Sequence, residues 1–136
     1  MLLENESPQT ACLCGSEKPY HQCCFPFHCG ERYPETAEQL MRSRYVAYVK
    51  QLSPYLLQTW CLKNRPENIE FDPNIIWKKL TIHSKKKGRK KDREGWVSFS
   101  ATYEASFNIL QLKEKSFFVR DKDLHWCYVS GLFEPL

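Results

Sequence analysis

Val97-Ser98-Phe99-Ser100-Ala101-Thr102-Tyr103 alternates apolar and polar side chains over seven positions, the two-residue period of a strand with one face on a core and the other in water. Upstream, Lys79-Leu80-Thr81-Ile82-His83 carries the same period. Downstream, Leu110 and Leu112 open a third run that continues through Phe117, Phe118 and Val119, and His125 to Ser130 reads as a fourth. Asp121-Lys122-Asp123 has the chemistry of a turn between the last two. Four runs joined by short connections predict an antiparallel meander.

Before Lys79 the period changes. Pro34, Glu35 and Thr36 suit a helix start, and Ala37, Leu40, Met41, Arg44, Tyr45, Tyr48 and Leu52 recur at helical spacing, which predicts an amphipathic helix over 35–51. Arg44 falls within the apolar stripe, so it either snorkels outward or meets a buried acceptor. Ser53-Pro54 opens a second helix over 54–61 with Tyr55, Leu56, Thr59 and Trp60. Asp72-Pro73 predicts another short helical segment toward Trp77. Helices followed by a meander define an α+β chain.

Ahead of the helices stands the string CLCGSEKPYHQCC, with Cys12, Cys14, Cys23 and Cys24 around a Gly-Ser turn. Four thiolates in two close pairs are the ligand set of a closed, tetrahedral structural zinc site. Cys12 and Cys14 face one way if the chain between them is extended, and adjacent Cys23 and Cys24 reach the same ion from a tight helical turn. His28 and Cys29 are spare donors, for which a packing or hydrogen-bonding role is expected. Residues 1–11 read as a polar lead-in.

The string resembles the SEC-C motif, a short zinc-binding element found at the end of the SecA translocation ATPase and in other bacterial proteins. The match runs through Cys12, Cys14, Gly15, Ser16, Lys18, Cys23 and Cys24, with Glu17 where glycine is usual. LMRSRYVAYV at 40–49, QTW at 58–60, FVR at 118–120 and YVSG at 128–131 are similar to the YchJ family of uncharacterised bacterial proteins. That resemblance implies a cone-like, nuclear-transport-factor-two-like domain over 32–136, behind a SEC-C module over 1–31. It carries no established activity. The likeness to the SecA module implies an as yet unknown protein partner, met through Lys18, Tyr20, His21 and Gln22. Family members usually have histidine after the QTW tryptophan, where this chain has Cys61.

The 136 residues are 42% hydrophobic and 14% aromatic, enough for one ordinary core and too apolar for wholesale disorder. No apolar run approaches a membrane span, so no membrane partner is expected. MLLENESPQT lacks the basic flank and apolar centre of an export signal, and a cytoplasmic location is expected. That compartment argues against disulfides, and Cys127, between Trp126 and Tyr128, reads as a small buried hydrophobe.

Two further sites come from side-chain chemistry. A pocket inside the cone would draw on Arg44, Tyr45, Tyr48, Trp60, Tyr103 and Arg120, the two arginines clamping an acidic small molecule and the tyrosines donating hydrogen bonds. Against it stands the simpler reading, aromatics as core and a carboxylate such as Glu114 satisfying an arginine. The second site is the basic run. Lys78 to Arg93 holds nine Lys or Arg and one Asp, a surplus of +8 that leaves −4 for the rest of a chain of net charge +4. Read as a loop, Lys85, Lys86, Lys87, Arg89, Lys90 and Lys91 would contact a nucleic acid, but no aromatic residue interrupts the run to stack bases. The expectation is a non-catalytic zinc-binding adaptor, with a pocket-bound small molecule or an enzyme as the alternative and nucleic-acid binding as the second.

Overall fold

The computed structural model describes residues 10–133; most of the polar lead-in lies outside them. A loop and a 3₁₀ turn, Tyr20–Gln22, lead into the single helical turn α1 (Phe25–His28). The central helix α2 (Ala37–Lys50) and the short α3 (Ser53–Gln58) follow, then β1 (Ile76–Lys87), β2 (Glu94–Ala105), β3 (Asn108–Arg120) and β4 (Trp126–Phe133).

α2 starts where Thr36, in extended backbone, accepts the Gln39 N–H on its side chain at 3.1 Å. Its acidic first turn holds Glu38 and its last turn Lys50, both matched to the helix dipole. It stops at Gln51, which adopts a left-handed conformation and returns its N–H to the helix. Ala37, Leu40, Met41, Ser43, Arg44, Tyr45, Val46 and Ala47 are all buried, because α2 has the sheet on one side and α1 and α3 on the others.

The sheet is a pure antiparallel meander, β1-β2-β3-β4. Its α2-facing side carries Leu80, Val97, Phe99, Ala101 and Phe118, all buried. The β2–β3 connection is a two-residue turn with Ser106 and Phe107 both at positive φ, the geometry that matches the twist of a hairpin. At the other edge Thr59–Cys61 lies alongside β4, with the Cys61 N–H on the Tyr128 carbonyl and the Tyr128 N–H on the Thr59 carbonyl, each at 2.8 Å.

Three readings change. Residues 72–75 form a turn and not a helix, since Ile76 already pairs with Glu104 in the sheet. Lys85, Lys86 and Lys87 belong to β1, leaving the basic turn to residues 88–93. Cys127 is more than a small hydrophobe: it is disulfide-bonded to Cys61, the pairing of the Thr59–Cys61 segment with β4 having brought their Cα atoms to 5.0 Å. The cysteine loop packs into the main core, Cys12, Cys14, Tyr20 and Cys24 lying with Leu40, Val46, Leu80 and Phe118.

Candidate metal centre and ligand cavity

The cysteine loop is shaped by its backbone. The Cys12 N–H donates to the Lys18 carbonyl at 2.8 Å and the Gly15 N–H to the Cys12 carbonyl at 3.2 Å, which folds 12–18 into a tight turn. The turn needs two left-handed residues, Gly15 at φ 83° and Glu17 at φ 71°. Glycine takes the first freely; glutamate at the second is strained. The 3₁₀ turn then delivers Cys23, and Cys24 caps α1, its carbonyl accepting from Phe27 and His28.

All four sulfur atoms lie within 4.8 Å of one another, with Cys14 Sγ to Cys23 Sγ at 3.6 Å and Cys23 Sγ to Cys24 Sγ at 3.9 Å. A tetrahedron with metal–sulfur bonds of about 2.3 Å has edges of about 3.8 Å. The spacing fits, and the cluster could hold a metal ion. Its electrostatics ask for one. Hydrogen bonds from Cys12, Cys23 and Cys24 hold Cys14 far below the ordinary thiol range, whereas hydrogen bonding to Cys12, Cys14 and Cys23, with burial, pushes Cys24 far above it. Four sulfurs this close, three of them buried, become thiolates together only around a cation.

α2 grips this loop from two consecutive positions. Arg42 donates through Nη1 to the Cys14 carbonyl at 2.6 Å and through Nε to Glu38 at 2.8 Å. The Ser43 carbonyl, which can only accept, fixes the hydrogen of His28 on Nε2 at 2.8 Å; Nδ1 then accepts from the Tyr20 hydroxyl at 2.7 Å. Burial pulls the His28 pKa down to about 4, so the imidazole is neutral and acts as a bracket. Both its nitrogens are committed to this bracket, as the hydrogen-bonding expectation had it. Tyr20 is 3% exposed, which removes it from the proposed contact strip and leaves Lys18, His21 and Gln22 on the surface.

The next residue of the same helical turn opens the second site. Arg44 is 4% exposed and borders a cavity of about 330 Å³ between α2 and the sheet, walled by Tyr45, Tyr48, Trp60, Trp77, Phe99 and Tyr128 among others. Its guanidinium lies between two rings, 5.1 Å from the Trp60 centroid and 4.7 Å from that of Tyr128. Nη1 donates to the Leu56 carbonyl at 2.8 Å and to Thr59 Oγ1 at 2.7 Å. No carboxylate or carbonyl among the described residues accepts from Nε or Nη2, and the Tyr48 hydroxyl is a further hydrogen-bond partner of the guanidinium. Burial lowers the Arg44 pKa, Tyr48 and Tyr128 acting the other way, yet an arginine stays charged.

Glu114, 8% exposed, lines the same cavity. It does not satisfy Arg44: its Oε1 accepts from Ser116 at 2.8 Å and from the Tyr128 hydroxyl at 3.2 Å. Gly131 makes room for it, since a Cβ there would run into the Glu114 carboxylate. The Trp60 indole N–H, also on the cavity wall, is buried without an acceptor.

Of the residues expected in a pocket, Arg44, Tyr45, Tyr48 and Trp60 meet here. Tyr103 instead packs on Trp77, ring centroids 5.4 Å apart. Arg120 is at the opposite end of the sheet, stacked on Trp126 and donating to the carbonyls of Asp92, Lys90 and Leu124. There it braces the basic turn. In that turn Arg89 pairs with Asp92, Lys90 with Glu35, and Lys85 of β1 with Glu38. Tyr128 was missed as a site residue; its place in the alternation 126, 128 was the available signal.

The sequence model of the YchJ middle, NTF2-like domain matches residues 36–131. This chain belongs to the YchJ family. A UPF0225 protein of Streptomyces coelicolor is 39% identical over 93% of this chain and 98% of its own length. One from Ralstonia nicotianae is 37% identical over 92% of each. The solution structure of RPA3114, a SEC-C motif containing protein from Rhodopseudomonas palustris, superposes with a TM-score of 0.79 at 26% identity, over 91% of this chain and 98% of that one. A SEC-C motif containing protein from Psychrobacter arcticus, at 22% identity, shares the fold with a TM-score of 0.75 over 95% of this chain and 85% of that one. This YchJ-family chain thus carries a SEC-C motif on an NTF2-like α+β fold, and among the described residues no helix is long and apolar enough to cross a membrane.

Proposed function

We propose that this chain is a non-catalytic, zinc-stapled binding protein that receives a small, largely apolar ligand with an anionic or acceptor group in the cavity beside Arg44. The zinc is structural, held by Cys12, Cys14, Cys23 and Cys24, and fastens the SEC-C loop to α2. The observation that carries the reading is the orphaned Trp60 N–H on the cavity wall, with the buried Arg44 guanidinium stacked on the same ring. A buried donor left unmet is costly, and a ligand acceptor group beside the Arg44 charge would meet it.

A volume near 330 Å³ corresponds to about ten waters at roughly 30 Å³ each, room for a ligand of one or two rings. Burial pushes the Tyr45 phenol up to about 12 and raises Tyr48 and Tyr128 as well. Those hydroxyls stay protonated and serve as donors, which favours binding over base catalysis.

The test follows the indole resonance of Trp60 by NMR while 4-hydroxybenzoate is added. A saturable shift, weakened in Arg44→Gln, which removes the charge and leaves the observed indole in place, supports the reading. Absence of any saturable shift up to millimolar probe contradicts it.

A protein partner is the second reading. One specific feature favours it: Ile76, Phe107, Ile109 and Leu110 are exposed together at the β2–β3 end of the sheet, and Phe107 holds φ 67° there, a conformation a bulky residue rarely adopts for the sake of the fold. Phe107→Asn should leave stability unchanged or improved while abolishing any capture of a partner through that end.

A further inference from the structure

The sheet has a second face, turned away from α2, and the register determines what stands on it. Lys86, Trp96, Phe117 and Ser130 form one cross-strand row. Below it lie Ser84, Ser98, Lys115 and the exposed Leu132, then Thr81, Ser100 and Lys113, then Lys79, Thr102 and Gln111. These rows carry four lysines and six hydroxyls above the last glutamine, and among the described residues no carboxylate. The nearest acids on that face of β2 are Glu94 and Glu104 at its two ends, and Glu94 is already 3.9 Å from Lys87.

The top row is a stack. The Trp96 and Phe117 rings lie 4.9 Å apart at 26°, and the Lys86 ammonium sits 5.1 Å from the Trp96 centroid on its other side. Beyond Phe117 the row continues with Ser130, exposed and small, between the bulged Val129 and Leu132 one row down, so no ring or long side chain is paired opposite the second face of Phe117. An aromatic ligand can extend the stack there.

We propose that this face binds single-stranded nucleic acid: one base on the open side of Phe117, with the backbone running down the lysine rows over Lys115 and Lys79. The sequence argument against a nucleic acid was that no aromatic interrupts the basic run. Pairing removes it, because Trp96 and Phe117 come from the neighbouring strands and stand beside Lys86. From Trp96 to Thr102 the face is about 20 Å long, comparable to sheets that stack two or three bases. The charge also selects the occupant. A second copy of the chain docked by a two-fold axis would set these lysines against themselves, and a duplex keeps its bases stacked away from Phe117.

The experiment is fluorescence anisotropy of labelled U12 and dT12 with the full chain, titrated across salt. Binding at low salt should weaken as salt rises, with log K falling at a slope of roughly −0.7 for each phosphate neutralised. Phe117→Leu keeps the apolar bulk but removes the ring, and should weaken binding about tenfold. Lys79→Ala with Lys115→Ala should flatten the salt slope by about 1.4. Arg89→Ala with Lys91→Ala, in the braced turn, should change affinity less than about twofold. Thermal melts check that each variant folds, and Phe117→Tyr, which keeps a ring, should restore affinity if Phe117→Leu loses it. Tighter binding of U12 than dT12 would assign the site to RNA, equal binding to single strands generally. The proposal is overturned by no binding at low salt, by equal affinity for a duplex, by loss in the turn variant with Phe117→Leu unaffected, or by a dimer that Phe117→Leu dissociates. Failure here leaves the Trp60 titration untouched, so the two readings fall separately.

Discussion

The cysteine cluster and the cavity sit on either side of one helical turn, Arg42-Ser43-Arg44, and they are assembled in opposite ways. Every donor of the cluster comes from thirteen consecutive residues and the loop closes on itself, so the fold receives it as a finished piece through Arg42 and the His28 bracket. The cavity has no local part: Arg44 comes from α2, Trp60 from the edge segment, Glu114 from β3 and Tyr128 from β4. Two residues apart on a helix is about 200° of rotation, which is why one turn serves both. The contrast teaches that the cluster depends on its own chemistry and the cavity on the whole domain.

The largest effect expected from breaking that contrast is on the cluster. Cys24→Ser removes one of four ligands, itself 1% exposed, and should lower Tm by more than about 10 °C, while circular dichroism still shows the sheet. An unchanged melting curve would mean that the loop is ornament to the domain.

The bracket comes next. Neutral in the fold with a pKa near 4 and about 6.5 when unfolded, His28 binds fewer protons in the native state, so its contribution is complete above pH 6.5 and is lost as pH falls from 6.5 toward 4. Denaturant melts should show up to about 3 kcal/mol lost over that window. His28→Gln should flatten the dependence. If the slope persists in that variant, another group is responsible.

On the cavity side, Gly131→Ala drives a methyl into the Glu114 carboxylate. It should cost about 1–3 kcal/mol and perturb the Trp60 and Tyr128 resonances without loss of metal. Metal loss would show that the two regions are not separable as described. The smallest effect is a gain: Glu17→Gly relieves a left-handed glutamate and should add about 1 kcal/mol, read in the metal-loaded protein.

The same contrast explains what could be read from sequence. The cluster was legible, down to the odd glutamate at 17, because ligand spacing and turn chemistry are local. Four strands and a long central helix followed from periodicity. Arg44 was singled out because a charge inside an apolar stripe is anomalous, but its partners were not visible: Trp60 meets Tyr128 only through a parallel edge pairing that leaves no periodic trace. Arg120 was misplaced for a related reason. An arginine in a strand can face either the cavity or a turn, and the carbonyls of Asp92, Lys90 and Leu124 decided it. The Cys61–Cys127 pair escaped because it is closed across 66 residues by that same edge pairing. The basic run looked like a loop because lysine is a poor strand former; pairing of Lys85–Lys87 with Gly95–Val97 overrode the propensity.

The most direct test is metal content with a thiol count on freshly purified protein, repeated on Cys12→Ser and Cys24→Ser. The account predicts one zinc per chain, absent in both variants, with the four cluster thiols unreactive until the metal is removed and the sheet still folded. No metal in the native protein, with Cys12, Cys14, Cys23 and Cys24 freely reactive, would contradict it.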